Sequence, residues 1–442
     1  MAFMLAATGS GTGKTTLTLG LLAAFGRLGL AVQPFKCGPD FIDPTLHQLA
    51  SGRISRNLDL RMCGQDYVRD CFDRQRADAD IALVEGVMGL FDGGIASPAV
   101  LAKALQIPVI LIVDAKGCAE SIAAVVKGFE SLDPDLPLLG VIFNRVASPR
   151  HLELLGGAVL AHCQTPILGA LPRDQEFCIP NRHLGLRMGS EQPLSGQQLA
   201  LLADTVADNI DLAAIQRLAT ISPAPRLPPV RSRRVENASR PRIGIARDQA
   251  FCFYYQDNLD LLEAMGAQLV EFSPLTAANL PPKLSGLYLG GGYPELHGKA
   301  LAANQTLLAE IKAWSEAGRP IYAECGGFIY LCQGLFDQAD EFWPLVGIFP
   351  CRARMGQSLA RLGYREATIT APCLFGDSGQ LFGHEFHYSE IEEMPASVNR
   401  CYRLQDGRQE GYQIRNTLGG YLHLHFARTA TALDHFIDCC HL

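Results

Sequence analysis

Short runs of apolar residues, each long enough for one β-strand, recur along the chain and alternate with stretches of helical character. They occupy residues 3–7, 31–34, 81–84, 109–113 and 140–143 in the first half, and residues 243–246, 268–271, 286–289 and 320–323 in the second. Runs that are apolar at every position are typical of parallel strands, which helices cover on both faces of the sheet. The pattern therefore predicts two α/β domains, each a doubly wound parallel sheet.

A change in composition separates the two halves at residues 221–240. This segment contains four prolines, followed by the basic cluster Arg231, Arg233 and Arg234. Proline-rich segments of this kind form extended linkers between domains. We therefore expect domains at residues 1–220 and 241–442 joined by this linker, and we interpret the basic cluster as a solvated connector rather than a nucleic-acid site.

Charge and hydropathy exclude several classes of function. Lys and Arg total 38 against 45 Asp and Glu, a net charge of −7, which argues against a chain that mainly neutralises nucleic-acid phosphates. The apolar run at residues 107–113 is far shorter than the ~20 residues of a membrane helix. The 14 cysteines form no Cys-x-x-Cys pair, and the N-terminus does not resemble a secretory signal. We expect reduced thiols, a cytoplasmic location and no membrane partner.

A glycine-rich loop follows the first apolar run and leads into a helical stretch at residues 17–28. Successive glycines let backbone N–H groups turn inward around phosphate oxygens, and the lysine of a Gly-Lys-Thr sequence reaches the terminal phosphates of a nucleotide. A strict phosphate loop would have glycine where this chain has Thr8. We nevertheless predict an ATP site, with the Thr15 hydroxyl as a ligand of Mg²⁺. Its residues are Gly11, Thr12, Gly13, Lys14, Thr15 and Thr16.

A second polar loop follows the second apolar run and contains Lys36, Asp40 and Asp43. Pro39 and Pro44 predict a rigid loop here rather than a helix. Carboxylates beside a triphosphate repel it unless a metal ion lies between them. We therefore interpret Asp40 and Asp43 as substrate-orienting groups, with Asp40 also a metal ligand, and Lys36 as part of the ATP site. For either aspartate alone, a turn-forming role is an open alternative.

An acidic residue, Glu85, stands at the carboxyl end of the third apolar run and is followed by glycines. Doubly wound sheets bind their ligands at the carboxyl ends of the strands, and an acid at this place is typical of a Mg²⁺ ligand in nucleotide-binding domains. We predict that Glu85 binds the metal and that Asp92 is a turn residue. Asn144 and Arg145, after the fifth run, are either a base-contacting pair or a strand-end cap.

In the second half, the run at residues 320–323 leads through Glu324 to Cys325, two glycines and an apolar helix predicted at residues 328–335. A cysteine on a sharp strand-to-helix turn lies at a helix N-terminus, where the helix dipole favours the thiolate. A strained turn also needs small neighbours, such as Gly327. We predict that Cys325 is a nucleophile and that the other cysteines are packing residues.

Two histidines further along the chain are candidate bases for this thiol. If residues 421–426 form a strand, His423 and His425 face the same side, and one of them could meet Cys325. The other is then a structural residue of the strand.

Two more polar or glycine-rich segments belong to the second half. The backbone N–H groups of Gly290, Gly291 and Gly292 follow a predicted strand and could form an oxyanion hole. Residues 383–389 are either a further edge of the site or a polar ladder between strands.

Residues 323–327 and 421–423 resemble the thiol and histidine motifs of class I (triad) glutamine amidotransferase domains, and the first half resembles dethiobiotin-synthetase-like ATPase domains. Together, the chain resembles the cobyrinate a,c-diamide synthase family of the cobalamin pathway. The resemblance implies a P-loop NTPase fold followed by a flavodoxin-like amidotransferase fold. The most specific stretches are residues 34–44, 55–59, 182–186, 290–295 and 383–389.

The resemblance implies a ligase that amidates two carboxylates of cobyrinate, a corrinoid, with ATP, Mg²⁺ and L-glutamine. Cys325, activated by His423, would release ammonia from glutamine, and ATP would convert each carboxylate into an acyl phosphate that ammonia displaces. Triad enzymes usually have His-x-Glu, whereas this chain has His425 at the acidic position. The third member of the triad and the oligomeric state stay open.

Three alternatives are open from the sequence. A sister amidase would act on hydrogenobyrinate, on nickel sirohydrochlorin or at the cobyric acid synthase step. A MinD/ParA-type ATPase switch would have a signature lysine where this chain has Gly9, and would lack a thiol domain. A scaffold without glutaminase activity would not need the Cys325 and His423 that this chain has.

Overall fold

The computed structural model describes residues 1–173, 181–182, 185–186, 188–191, 193–221 and 240–441. By its internal contacts the chain divides into two compact units, residues 1–228 and 229–442. The predicted linker lies almost entirely outside the described residues, and so do His183 and Leu184 of the stretch 182–186.

The first unit is built on one sheet of seven strands. They are β1 (Ala2–Ala7), β2 (Val32–Cys37), β3 (Arg56–Leu58), β4 (Ile81–Glu85), β5 (Val109–Asp114), β6 (Leu138–Val146) and β7 (Ile167–Pro172). Their order across the sheet is β3-β2-β4-β1-β5-β6-β7, and every neighbouring pair is parallel. The parallel α/β fold predicted for the first half is confirmed, with β3 and β7 added to the predicted strands.

Helices connect the strands of this sheet, and a short antiparallel pair, β8 (Asn181–Arg182) and β9 (Gly185–Leu186), follows it. The helices are α1 (Lys14–Arg27), α2 (Asp43–Ser51), α3 (Leu60–Cys63), α4 (Gln65–Gln75), α5 (Pro98–Leu105), α6 (Ile122–Leu132), α7 (Pro149–His162), α8 (Gly196–Asn209) and α9 (Leu212–Leu218). Packing is close where α1 meets α8, because a Cβ on Gly20 would lie 2.5 Å from Val206 Cγ2.

The second unit contains more strands than the apolar runs predict. They are β10 (Arg242–Ala246), β11 (Gln268–Phe272), β12 (Gly286–Leu289), β13 (Ile321–Glu324), β14 (Cys332–Phe336), β15 (Phe342–Pro344), β16 (Phe349–Met355), β17 (Arg361–Ile369), β18 (Gln380–His387), β19 (Ser389–Ile391), β20 (Asn399–Leu404), β21 (Gln409–Ile414), β22 (Thr417–Gly420) and β23 (His423–Leu424). The helices are α10 (Gln256–Ala264), α11 (Gly298–Ala303), α12 (Gln305–Glu316), α13 (Gly326–Leu331) and α14 (Ala430–Cys439). None of the helices in the described part of the chain is long and apolar enough to cross a membrane.

The larger sheet of the second unit has the order β11-β10-β12-β13-β22-β21-β20-β17-β18-β23. The four predicted strands, β10 to β13, are parallel as predicted, and β22, which was not predicted, pairs with β13 in parallel. From β22 to β23 the strands are antiparallel. Alternate residues of its central strands enter different apolar clusters: Leu287 and Leu289 belong to one, and Tyr288 to the other. Because successive side chains of a strand point to opposite faces, the sheet has a core on each face. A smaller sheet has the order β15-β14-β16-β19.

Three local predictions are wrong. The helix predicted at residues 328–335 ends at Leu331, because the chain passes directly into β14, which pairs with β15 and β16. The strand predicted at residues 421–426 is limited to β23. The predicted rigid loop ends in a helix, α2, which begins at Asp43 with Pro44 in its first turn. Proline is tolerated there because the first N–H groups of a helix have no partner within it.

Candidate active sites

The phosphate loop joins β1 to α1, and its shape depends on glycine at two positions. Gly11 and Gly13 have φ angles of 73° and 94°, in the left-handed region that glycine adopts without strain. A Cβ on Gly13 would also overlap with the amide nitrogen of Asn144. Both positions therefore need glycine, and left-handed turns of this kind are a feature of phosphate-binding loops.

Asn144 and Arg145, at the end of β6, donate hydrogen bonds to the backbone of the phosphate loop. Asn144 Nδ2 donates a hydrogen bond to Thr12 O at 2.7 Å, and Arg145 Nη2 donates to Gly11 O at 2.8 Å. Arg145 is itself held by Asp114 Oδ2, 2.5 Å from Nη1. Both side chains thus bind the backbone of the phosphate loop. This role is neither the base contact nor the strand-end cap that the sequence suggested.

Lys14, the first residue of α1, extends across the mouth of the loop. Its Nζ donates to Gly9 O at 3.0 Å and to Met88 O at 2.5 Å. Burial, together with a second lysine nearby, lowers the pKa of Lys14. The next residue, Thr15, donates its hydroxyl to Glu85 Oε1 at 2.8 Å, and Thr16 is half-buried in the same turn. The predicted lysine, hydroxyl and acid are therefore close together.

Lys36, in β2, lies among three carboxylates. Its Nζ is 2.5 Å from Asp43 Oδ2, 3.2 Å from Glu85 Oε1 and 3.8 Å from Asp40 Oδ2. Burial acts to lower the pKa of Lys36, but the carboxylates hold it well above its usual range. Burial likewise acts to raise the pKa of Glu85, and the attraction of Lys36 and a hydrogen bond from His47 hold it below its usual range. Lys36 and Glu85 are therefore a buried ion pair.

Two aspartates near the phosphate loop also shape turns. Asp40 Oδ1 accepts from the N–H groups of Ile42 and Asp43, at 2.8 and 3.0 Å, while its other oxygen faces Lys36. Asp92 Oδ2 accepts from the N–H of Gly89 at 2.8 Å. Asp92 is thus a turn residue, as predicted, whereas Asp40 combines a turn with a charge contact.

His47 belongs to this cluster, although no sequence motif pointed to it. Its Nε2 is 2.7 Å from Glu85 Oε2, and its Nδ1 is 3.0 Å from Ser55 Oγ. It stands four residues after Asp43 on α2, so both side chains lie on the same face of that helix. The spacing of four residues between Asp43 and His47 could have pointed to His47. We did not use it because we predicted a rigid loop here instead of a helix.

The oxygen atoms at this site suit Mg²⁺. Thr15 Oγ1 and Glu85 Oε1 lie 2.8 Å apart, so a hydroxyl and a carboxylate, both oxygen donors of the kind that Mg²⁺ prefers, stand side by side. In the described part of the chain, no three His, Cys, Asp or Glu side chains are arranged to hold a metal by themselves. Mg²⁺ at nucleotide sites usually takes few protein ligands and completes its shell with phosphate and water.

In the second unit, Cys325 occupies the sharp turn between β13 and α13. Its φ and ψ angles, 46° and −104°, are strained for a residue with a side chain. The Cys325 N–H donates to Gly420 O at 2.8 Å, which fixes the turn to the neighbouring β22. A Cβ on Gly327 would overlap with Leu289 O. Cys325 therefore lies on a strained turn that needs glycine after it.

The surroundings of Cys325 do not favour the thiolate. Burial and the nearby Glu295 carboxylate raise the pKa of the thiol well above its usual value, against a hydrogen bond from the Gly326 N–H. The opposite shift, expected from the helix dipole, is therefore wrong. Because α13 has only six residues, desolvation outweighs its dipole. The thiol keeps its proton at rest and needs a base.

His423 and the turn at Cys325 both lie against the glycine triplet, residues 290–292. A Cβ on Gly291 would overlap with His423 Cε1, and a Cβ on Gly326 would lie 3.0 Å from Gly292 N. The triplet thus touches the imidazole on one side and the residue after the nucleophile on the other. Burial and two neighbouring histidines lower the pKa of His423 well below its usual value. The ring is therefore neutral at rest, and its protonated form is costly unless a negative charge lies nearby.

His425 has a different role from His423. The two do not share a strand, because β23 ends at Leu424. His425 Nδ1 accepts from the N–H of Ala427 at 3.3 Å, and its ring lies 4.9 Å from that of Tyr255. His425 thus caps a short helical turn and is the structural histidine of the pair.

The polar residues 383–389 combine both predicted roles. His384 in β18 lies opposite His423 in β23, and the two rings stack with their centroids 5.0 Å apart. The next residue, Glu385, faces the other side of the sheet and pairs with Arg365 and Arg408. One face of β18 is thus an edge of the site, and the other is a charged ladder.

The three residues of the glycine triplet differ in what their N–H groups contact. The N–H of Gly290 donates to Tyr254 Oη at 2.8 Å. Gly292 has a φ of 154°, and a Cβ there would overlap with Ala250 O. The N–H of Gly292 is the part of the triplet that lies against Gly326, immediately after the thiol.

Two family descriptions match the two units. Residues 3–186 match the family described as "CobQ/CobB/MinD/ParA nucleotide binding domain". Residues 242–431 match "CobB/CobQ-like glutamine amidotransferase domain". The matched ranges fall on the phosphate-loop unit and on the thiol unit, respectively.

Relatives match over nearly the whole chain. A protein of Syntrophotalea carbinolica named "Cobyrinate a,c-diamide synthase" is 46% identical over 99% of this chain and 98% of its own length. Proteins of the same name from Salmonella typhimurium and Priestia megaterium are 44% and 40% identical, each over 99% of this chain and over 97% and 96% of their own lengths.

Proposed function

The chain belongs to the cobyrinate a,c-diamide synthase family, and we propose that it amidates the a and c carboxylates of cobyrinate with ATP and L-glutamine. The observation that carries the proposal is the 46% identity with a relative of that name over 99% of this chain. The chain would thus be a glutamine-hydrolysing carbon–nitrogen ligase, with one half-reaction in each unit.

The thiol unit releases ammonia. His423 takes the proton of Cys325, and the thiolate attacks the carboxamide carbon of glutamine. The N–H groups of Gly291, Gly292 and Gly326 stabilise the oxygen anion, whereas that of Gly290 is engaged by Tyr254. The intermediate expels ammonia with the proton returned by His423, and water then hydrolyses the γ-glutamyl thioester.

The phosphate-loop unit activates the substrate. The backbone N–H groups of the loop, from Gly11 to Thr16, bind the phosphates of ATP together with Lys14. A corrin carboxylate attacks the γ-phosphorus, ADP leaves, and an acyl phosphate forms. Ammonia then displaces phosphate from the acyl phosphate. Phosphate is a good leaving group, whereas the free carboxylate would have to lose hydroxide, which is a poor one. Lys36 attracts the reacting carboxylate and phosphate by charge, and Asp43, whose Oδ2 lies 2.5 Å from Lys36 Nζ, holds that lysine in place.

Mg²⁺ fits the oxygen donors of this unit, and we assign its protein ligands to Thr15, Glu85 and Asp40. When bound, the ion would neutralise phosphate charge. Thr15 supplies a hydroxyl already 2.8 Å from Glu85, and Asp40 supplies the most exposed carboxylate of the cluster. These assignments are tested by the Mg²⁺ dependence of Asp40→Asn, for which we expect a raised Mg²⁺ requirement with unchanged glutamine hydrolysis.

The test of the function is mass spectrometry of the products formed from cobyrinate, ATP and glutamine. We expect a gain of two amides. Hydrogenobyrinate and nickel sirohydrochlorin, offered in parallel, distinguish the sister amidases, and a preference for either would replace cobyrinate as the substrate.

The variant Cys325→Ala separates the two half-reactions. We expect it to amidate cobyrinate with ammonia as well as the wild type does, and to lose amidation with glutamine. If Cys325→Ala uses glutamine as well as the wild type, the assignment of the nucleophile is wrong. Loss of both reactions would mean that the thiol unit does not act as a separate ammonia source.

A further inference from the structure

The thiol site has a nucleophile and a base, and the position two residues after the base, where an acid would orient it, holds His425. His425 binds the local backbone instead. We infer that Glu324, the residue immediately before the nucleophile, orients His423 and stabilises its cationic form during glutamine hydrolysis. This role deepens the proposed function and rests on it.

Glu324 is fixed by donors from three strands. Its Oε1 accepts from Tyr322 Oη at 2.6 Å and from the N–H of Leu424 at 3.0 Å, and its Oε2 accepts from Tyr288 Oη at 3.1 Å. The Leu424 contact is with the residue next to the base, so the carboxylate and the imidazole are held by the same short strand. A buried carboxylate with this support keeps one orientation.

The carboxylate faces the nitrogen that an orienting acid has to reach. Glu324 Oε2 lies 3.9 Å from His423 Nδ1, and both side chains are at most 2% exposed. A proton taken from Cys325 by the other ring nitrogen would leave Nδ1–H⁺ directed at this oxygen. The distance exceeds a hydrogen bond by about 1 Å, and catalytic hydrogen bonds are commonly long before substrate binds.

The charge balance favours the same role. Burial raises the pKa of Glu324 to about 7, against the hydrogen bonds from Tyr322, Leu424 and Tyr288. A cation that forms next to Glu324 favours its ionised form, and the attraction between the two charges is stronger in this poorly solvated place than at the surface. Transfer of the thiol proton to His423 creates that cation, so the acid stabilises the product of the transfer more than the resting pair.

Two other buried carboxylates nearby are engaged elsewhere. Glu385 pairs with Arg365 and Arg408 on the opposite face of β18. Glu410 accepts from the backbone N–H groups of Tyr421 and Leu422. Glu410 is therefore a matched control: it is buried, and it also supports the segment that leads to the base, but the hydrogen bonds that it accepts come from the backbone and not from the imidazole.

The experiment measures glutamine hydrolysis by the full chain carrying Glu324→Gln, Glu324→Asp or Glu410→Gln. Gln keeps the shape of the side chain without its charge. We expect Glu324→Gln to lower kcat roughly 100-fold, with KM for glutamine changed less than about threefold, since the acid acts on the transition state. Glu324→Asp keeps the charge at a greater distance and should lose about tenfold. Glu410→Gln should stay within about threefold of the wild type.

The role of Glu324 is overturned if Glu324→Gln keeps more than a third of the wild-type kcat, if the Asp and Gln variants are equally impaired, or if Glu410→Gln loses as much as Glu324→Gln. If Glu324→Gln does not fold, Glu324→Asp decides, and an unchanged kcat in that variant rejects the role.

Failure of this role differs from failure of the proposed function. If the wild type does not hydrolyse glutamine, or if Cys325→Ala still does, the proposed function is wrong. If the wild type hydrolyses glutamine through Cys325 and the loss of Glu324 has no effect, only the role of Glu324 is wrong. Amidation with ammonia, measured in the same samples, should be unchanged in all three variants.

Discussion

His47 Nε2 lies 2.7 Å from Glu85 Oε2, where both side chains are fully buried. The other oxygen of Glu85 accepts from Thr15. The acid at the end of β4 is therefore held on both oxygens. Its orientation towards the phosphate loop depends on a histidine from a neighbouring helix.

We expect His47→Leu to lower kcat for amidation with ammonia by at least tenfold, because loss of a hydrogen bond to a buried charge costs about 1.5–3 kcal/mol. His47→Gln should stay within about threefold of the wild type, since its amide nitrogen can replace Nε2. Steady-state amidation assays compare the two. Equal losses in both variants would contradict an orienting role for this nitrogen.

Lys14→Ala should abolish amidation with either nitrogen source, because the lysine of the phosphate loop contacts the terminal phosphates in the proposed site. Glutamine hydrolysis through Cys325, measured separately, is the control and should persist. Product analysis with ATP, cobyrinate and ammonia provides the measurement. If Lys14→Ala still amidates cobyrinate, the assignment of the ATP site to the phosphate loop is wrong.

Two glycines inside helices should respond oppositely to alanine. Gly157 in α7 has open space around its missing Cβ, so Gly157→Ala should stabilise the first unit by ~0.5–1 kcal/mol. Gly20→Ala should destabilise it by about 1–3 kcal/mol, because Val206 lies only 2.5 Å from the position that the new methyl group would occupy. Urea unfolding of the full chain measures both, and a stabilised Gly20→Ala would refute the close packing of α1.

Glu410 should make stability depend on pH. Burial and the nearby Glu385 raise its pKa to about 8, above the usual value of 4.5. Between these values the folded state keeps a proton that the unfolded state has released, so this contribution to stability is lost as pH rises. Glu410→Gln should therefore gain stability relative to the wild type from pH 5 to pH 8, by up to about 1.4 kcal/mol per pH unit. Urea unfolding at both values tests this, with the exposed Glu316→Gln as a control that should show no such trend.

Local patterns were enough to predict the parallel strands and the two turns that carry the chemistry. The residues around Lys14 and Cys325 follow apolar runs directly, and a strand, a glycine-rich turn and a helix in succession constrain their own geometry. Family resemblance then identified the reaction. The antiparallel strands from β17 to β21 were not predicted, because their half-exposed faces break the apolar runs and their pairing depends on distant partners.

The residues that support the site were missed for the same reason. His47 and Glu324 act through contacts with Glu85 and His423 that join distant parts of the chain. Glu324 was noted as a neighbour of the nucleophile, but only the fold shows that its side chain turns towards the base. The pKa of Cys325 was predicted with the wrong sign, since burial depends on the packing around the turn and not on the residues that form it.

The pairing of β13 with β22 also determines when the thiol site can form during synthesis of the chain. The turn at Cys325 is fixed by Gly420, and its base follows at His423, almost a hundred residues later. At about 5–20 residues per second, a ribosome takes roughly 5–20 s to cover that distance. During this interval the nascent chain carries a protonated thiol with neither its turn nor its base. Glutamine hydrolysis therefore cannot begin until well after the phosphate-loop unit, which is synthesised first, has emerged from the ribosome and can fold.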